Sequence, residues 1–152
     1  MKSPEHKHIS PLMKRIEHIG IAVKDLDQAN ILYTQMLGVS PYKQEAVESE
    51  LVITSFFQTG ESKIELLAAT DDSSAIAKYI QKRGEGMHHI AFEVEDIDAA
   101  MHDMTERGFR LLSEEAKRGA DDKLICFIHP KSAHGVLIEL CQSIHKEEDE
   151  EE

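Results

Sequence analysis

The feature that most constrains this chain is that it repeats itself. Ile16-Glu17-His18-Ile19-Gly20-Ile21-Ala22-Val23 returns 71 residues later as Met87-His88-His89-Ile90-Ala91-Phe92-Glu93-Val94. At that offset His18 meets His89, Val23 meets Val94, Asp25 meets Asp96, Asp27 meets Asp98 and Ala29 meets Ala100. Further on, Lys63-Ile64-Glu65-Leu66 resembles Leu137-Ile138-Glu139-Leu140, at an offset of 74. A self-match of this length reads as two copies of one module. The copies span residues 14–69 and 86–142, with a linker over 70–85 and an extension over 1–13. Residues 143–152 end in the acidic run Lys146–Glu152 and read as a disordered tail.

Each copy has the same grammar. The segments around His18 and His89 alternate apolar and small or polar residues, which predicts strands. Asp25 and Asp96 stand where a helix N-cap belongs. Ala29, Leu32, Tyr33 and Met36 follow helical spacing, as do Ile97, Ala100, Met101 and Met104. Gly38 and Gly108 stand at the expected helix stops. Three strands are expected in each half, over 41–48, 51–58 and 62–68, then 110–114, 122–129 and 135–141, with a short linker helix over 75–82. The fold class is α+β: two paired βαβββ modules forming a curved mixed sheet.

Strand parity carries the chemistry. Ile64 and Leu66 belong to a helix-covered face, so Glu65 faces the other way, and Glu139 likewise opposes Ile138 and Leu140. His18 and His89 lie on that same free face beside the small residues Gly20, Ala22 and Ala91, which leave a hollow. Two imidazoles and two carboxylates at equivalent places of two modules suit a divalent transition metal with open coordination positions. The expected ligands are His18, Glu65, His89 and Glu139. Parity turns His88 toward the helix side, as a structural or supporting residue. The remaining histidines, His6, His8, His102, His129, His134 and His145, have no partner in the other copy and read as ordinary residues.

Composition narrows the alternatives. The 152 residues carry 17 Lys and Arg against 29 Asp and Glu, a net charge of −12, with 5% aromatics. An acidic chain without a basic stripe is a poor nucleic-acid binder. No apolar run reaches the ~20 residues of a membrane helix. Two cysteines, Cys126 and Cys141, form neither a disulfide framework nor a thiolate cage, so the expected setting is the reducing cytoplasm. Hence no nucleic-acid or membrane partner is expected.

The pattern resembles the vicinal oxygen chelate (glyoxalase/bleomycin resistance/dioxygenase) superfamily over nearly the whole chain apart from its ends. Within it the sequence looks most like the methylmalonyl-CoA epimerase family. Three segments carry that likeness: EHIGIAVKDLDQA with MLGV, GEGMHHIAFEVEDIDAAM with ERGFRLLSEE, and FIHPKSAHGVLIELCQ. The resemblance implies a metal-dependent epimerase that exchanges (2R)- and (2S)-methylmalonyl-CoA through C2 proton abstraction and an enediolate. It implies the metal ligands His18, Glu65, His89 and Glu139, with Glu139 also serving as a base. It implies a second acid/base from the segment before the second ligand: Glu48, with Glu50 as its rival. Lys131 and Ser132 of the HPKS turn are expected at the substrate, and Lys117, Arg118 and Lys123 add positive charge for the coenzyme A part. A cobalt ion is the expected metal, with zinc, manganese and nickel as alternatives of the same ligand preference, and a homodimer is the expected assembly. Two other readings share the fold: a glyoxalase I-like isomerase, and a binding protein without catalysis. A ring-cleaving dioxygenase would need a non-polar residue where Glu65 stands.

Overall fold

In the computed structural model, which describes residues 12–144, each half of the chain runs strand, helix and three strands. The first half holds β1 (Arg15–Ala22), α1 (Leu26–Leu37), β2 (Lys43–Val47), β3 (Val52–Thr59) and β4 (Ser62–Ala69). The second holds β5 (Gly86–Glu93), α3 (Ile97–Glu106), β6 (Lys117–Gly119), β7 (Lys123–Ile128) and β8 (Ile138–Ser143). Helix α2 (Ala75–Arg83) joins them. The expected extension and tail fall largely outside the described residues, as do His6, His8 and His145.

Local chemistry sets these boundaries. The Asp25 carboxylate accepts from the Gln28 N–H at 3.0 Å and opens α1, and Asp96 accepts from the Ala99 N–H at 3.1 Å and opens α3. Ser74 does the same for α2 through the Ala77 N–H at 3.0 Å. Gly38 closes α1 in the left-handed region, with φ of 76°.

All eight strands form one mixed sheet in the order β2-β3-β4-β1-β5-β8-β7-β6. The central pair β1 and β5 runs antiparallel and joins the modules, while β1·β4 and β5·β8 run parallel. The sheet curls until its edge strands face each other. Lys43 of β2 pairs with Asp121 of the β6–β7 turn at 2.7 Å, and Glu50, just past β2, pairs with Lys117 of β6 at 3.0 Å. Apolar residues pack the helices onto the outer face: Leu66, Phe57 and Val23 beneath α1, and Leu140, Val94 and Cys126 beneath α3. Helix α2 packs Ile76 against Ala22, Val52 and Leu67 on the concave face, and the rest of that face is left open.

One expected strand is corrected. Residues 110–114 make a single bridge, Leu111 to Ile128, and β6 lies later, at Lys117–Gly119. The chain bends between the two because the Ser113 hydroxyl donates to the Glu115 carbonyl, a local turn that competes with the ladder.

Candidate metal centre and its cavities

Four buried side chains meet on the concave face at the joint of the two modules. His18 comes from β1, Glu65 from β4, His89 from β5 and Glu139 from β8, each at most 6% exposed. Register explains the meeting: Glu65 pairs with Gly20 of β1, and Gly20 pairs with His89 across the central strands. Gly20 is required there, because a Cβ on it would stand 2.2 Å from His89 Cε1.

The donor atoms converge. His18 Nε2 lies 3.1 Å from His89 Nε2 and 3.5 Å from Glu139 Oε1, and His89 Nε2 lies 3.1 Å from the same oxygen. An ion bonded at ~2.1 Å to nitrogen and oxygen donors holds them roughly 3.0–3.4 Å apart, so this set is spaced for one divalent cation. Glu65 reaches His18 from the opposite ring nitrogen, with its Oε2 3.1 Å from Nδ1. Cys141 and Glu17 form a second donor group with His18, and burial pushes the Cys141 thiol up.

Electrostatics follow from burial. Burial by itself would lower His18, but the Glu65 charge and hydrogen bonds to Glu139 and Glu17 outweigh it and push it up to about 10. Burial raises Glu65 to about 7. Burial also opposes ionisation of Glu139, yet hydrogen bonds from His18 and His89 carry it down to about 2. The metal-free site is therefore a charged cluster whose imidazolium must lose a proton before it can act as a ligand.

Two residues beside the ligands were not placed by strand parity. Glu17, 1% exposed, accepts from His18 Nδ1–H at 2.6 Å and receives Lys63 Nζ at 2.6 Å on its other oxygen. Lys63 continues to Asp121 at 2.8 Å, which closes the floor of the cup. His88 does not turn to the helix side as parity predicts: it lines the cavity, with its Nδ1 2.9 Å from His89 Nδ1. The signal for both was present in the repeat, because Glu17 and His88 are equivalent positions.

The cluster lines a cavity of about 350 Å³ whose walls include the apolar Val52, Leu67, Ile76, Ile125 and Phe127. A second cavity, of about 630 Å³, shares His88, His89 and Leu137 with the first and is bordered by Lys78, Lys82 and Arg83 of α2. The expected substrate residues are spread around these spaces. Glu48 and Glu50 occupy one 3-10 turn after β2, and both are exposed. Glu50 lines the first cavity, whereas Glu48 stands outside its lining. Lys131 is exposed, and the Ser132 hydroxyl accepts from the Arg110 N–H at 3.0 Å. Pro130 and Gly135 of the same loop border the second cavity. Lys117 and Arg118 line the first cavity, while Lys123 turns toward Glu17 at 3.7 Å.

Comparison with known proteins follows the same lines. The family model for the glyoxalase/bleomycin resistance protein/dioxygenase superfamily matches residues 17–127. Human mitochondrial methylmalonyl-CoA epimerase is 41% identical over 130 residues, which cover 85% of this chain and 74% of that protein. The solved structure of methylmalonyl-CoA epimerase from Mycobacterium tuberculosis superposes with a TM-score of 0.87 at 36% identity, covering 95% of this chain and 99% of that one. A variant of the Streptomyces coelicolor epimerase, solved in complex with 2-nitronate-propionyl-CoA, gives 0.82 at 39% identity, with 88% and 99% covered.

Proposed function

The chain belongs to the methylmalonyl-CoA epimerase family of the glyoxalase/bleomycin resistance/dioxygenase superfamily, and from that premise we propose that it interconverts (2R)- and (2S)-methylmalonyl-CoA. The observation that carries this reading is the convergence of His18, His89 and Glu139 donors within 3.5 Å of one another, in a cavity whose walls combine apolar residues with Lys117 and Arg118.

His18, His89, Glu139 and Glu65 would hold the metal. When bound, a divalent cation supplies positive charge to the thioester and carboxylate oxygens on which negative charge develops as C2 loses its proton. The chain's own residues do the rest. Glu139, ionised and held by two imidazoles, takes the C2 proton from one face. The other face needs a second acid/base, and we assign it to the turn that caps β2. The sequence put Glu48 ahead of Glu50, but of the two it is Glu50 that lines the cavity, tied to Lys117 at 3.0 Å, and we assign Glu50 first with Glu48 as its competitor. Val52, Leu67, Ile76 and Ile125 exclude water from the acyl group and contact its methyl. The coenzyme A part extends into the second cavity, where Lys78, Lys82 and Arg83 give local positive charge in an acidic chain. Lys131 and Ser132 stay at its rim.

Cobalt is the metal we assign first, ahead of zinc, manganese and nickel, and the cytoplasm is the assigned setting. The described residues contain no helix long and apolar enough to cross a membrane. We assign a homodimer as well. Helix α1 leaves Ile31, Leu32 and Met36 exposed, an apolar face that a second copy would cover.

Proton NMR of one epimer in D2O with the cobalt-loaded protein tests the reading. Metal-dependent loss of the C2 proton signal with appearance of both epimers is expected, and an EDTA-treated control should be silent. A metal-loaded protein that exchanges no proton would overturn the assignment and direct the same assay to a glutathione hemithioacetal.

A further inference from the structure

The central β1·β5 ladder is irregular in two places, and both irregularities lie at the metal centre. Ile16 pairs with Phe92 and His18 with Ala91, so Glu17 is an extra residue on β1. Gly20 pairs with His89 and Ile21 with Met87, so His88 is an extra residue on β5. Each is a bulge residue without a ladder partner, and each immediately precedes a histidine of the site. Regular alternation would send both side chains to the helix face. The bulges turn them to the following imidazole instead. Glu17 Oε1 stands 2.6 Å from His18 Nδ1, and His88 Nδ1 stands 2.9 Å from His89 Nδ1. Both contacts use the ring nitrogen opposite the Nε2 that meets Glu139 Oε1; at His18 Nδ1 the Glu65 Oε2 also stands, at 3.1 Å, farther off than Glu17 Oε1.

We propose that Glu17 and His88 are paired positioning residues, one per module, each accepting a hydrogen bond from the Nδ1–H of the next histidine and so reserving its Nε2 for the metal. The inference rests on the metal-site reading above. A histidine whose Nδ1 proton is held by an acceptor has a fixed tautomer and a fixed ring plane. The two acceptors differ in kind. Glu17 is a carboxylate steadied on its other oxygen by Lys63, which is itself fixed by Asp121 at 2.8 Å. His88 is an imidazole held edge-on against Tyr79, with ring centroids 4.9 Å apart. The charged acceptor makes His18 the more electron-rich ligand of the two. Duplication of the module thus preserved the position and its role while the residue type diverged.

The test is made on the zinc-loaded full chain, where long-range proton–nitrogen NMR reads each ring nitrogen separately. His18 and His89 are expected to carry a proton on Nδ1 and the metal on Nε2. Glu17→Leu and His88→Phe, which remove the acceptor, are each expected to weaken zinc and cobalt binding by about 10–100-fold. Glu17→Gln and His88→Asn, which keep a side-chain acceptor, should recover part of that loss. In the Glu17 variants Lys63 still has Asp121 as a partner. Should an acceptor-free variant fail to fold, the Glu17→Gln and His88→Asn affinities and the wild-type nitrogen spectra decide. Metal on Nδ1 of either ligand, or acceptor-free variants with affinities within twofold of wild type, would overturn the proposal and leave the metal site standing. A wild-type protein that takes up no zinc or cobalt would remove the metal reading and this inference with it.

Discussion

Gly20→Ala is the sharpest probe of how the site is built. Gly20 and His89 are direct partners across the central strands. An added Cβ would sit 2.2 Å from His89 Cε1, 2.6 Å from Nδ1 and 2.8 Å from Nε2. Carbon atoms rest about 3.5–4.0 Å apart, so the ring must retreat by more than ~1 Å. Its retreat is obstructed on several sides. Phe127 meets the ring edge-on with centroids 5.8 Å apart, His88 stands at 5.2 Å and His18 at 5.1 Å. The strain belongs to the overpacking class, roughly 1–3 kcal/mol of stability. The loss at the site is larger in consequence, because a displacement of ~1 Å in a catalytic array costs about 10²-fold in rate. Cobalt titration followed by visible absorption is expected to show binding weakened by at least tenfold, with C2 exchange reduced about 10²-fold. Gly60→Ala is the control: it strains a turn at φ of 63° with nothing within 4 Å of the new Cβ, so it should cost stability and spare the metal. Wild-type cobalt affinity with an unchanged spectrum in Gly20→Ala would refute the derived position of the His89 ring.

Other outcomes follow from the same geometry. Glu139→Gln should abolish C2 exchange while the protein stays folded, whereas Glu48→Gln and Glu50→Gln should separate: loss of exchange from one epimer only marks the second acid/base, read by the D2O assay. In the metal-free protein His18 is raised from 6.5 to about 10, so its charge adds stability that is complete below pH 6.5 and is lost as pH climbs through 10. Metal uptake must displace that proton, so cobalt affinity should rise with pH between 7 and 9 with proton release seen by a pH indicator; a flat profile would contradict the charge state. Phe57→Ala, at a position with 0% exposure beneath α1, should cost ~3–5 kcal/mol by denaturant unfolding. Lys78→Gln combined with Lys82→Gln should raise KM for the acyl-CoA and leave kcat nearly unchanged, because these side chains border the second cavity rather than the reacting carbon.

What the sequence determined by itself was the part of the fold that is written in local pattern and repeated. Duplication gave two modules. Period-two alternation gave the faces of His18, Glu65, His89 and Glu139, and Asp25, Asp96 and Gly38 marked helix ends through chemistry confined to a few neighbouring residues. Tertiary structure decided the rest, because it depends on atoms distant in the chain. The bulges at Glu17 and His88 break the alternation from which parity was read, and a bulge exists only as a mismatch between two paired strands. Lys123, grouped by sequence with the surface cations, turns inward to buried Glu17 at 3.7 Å, joining Lys63 there. The edge-to-edge pairs Lys43–Asp121 and Lys117–Glu50 span 78 and 67 residues, and they form only once the sheet has curled. A single sequence records which residues must share a face; the curvature that brings two faces to one ion is a property of the assembled sheet.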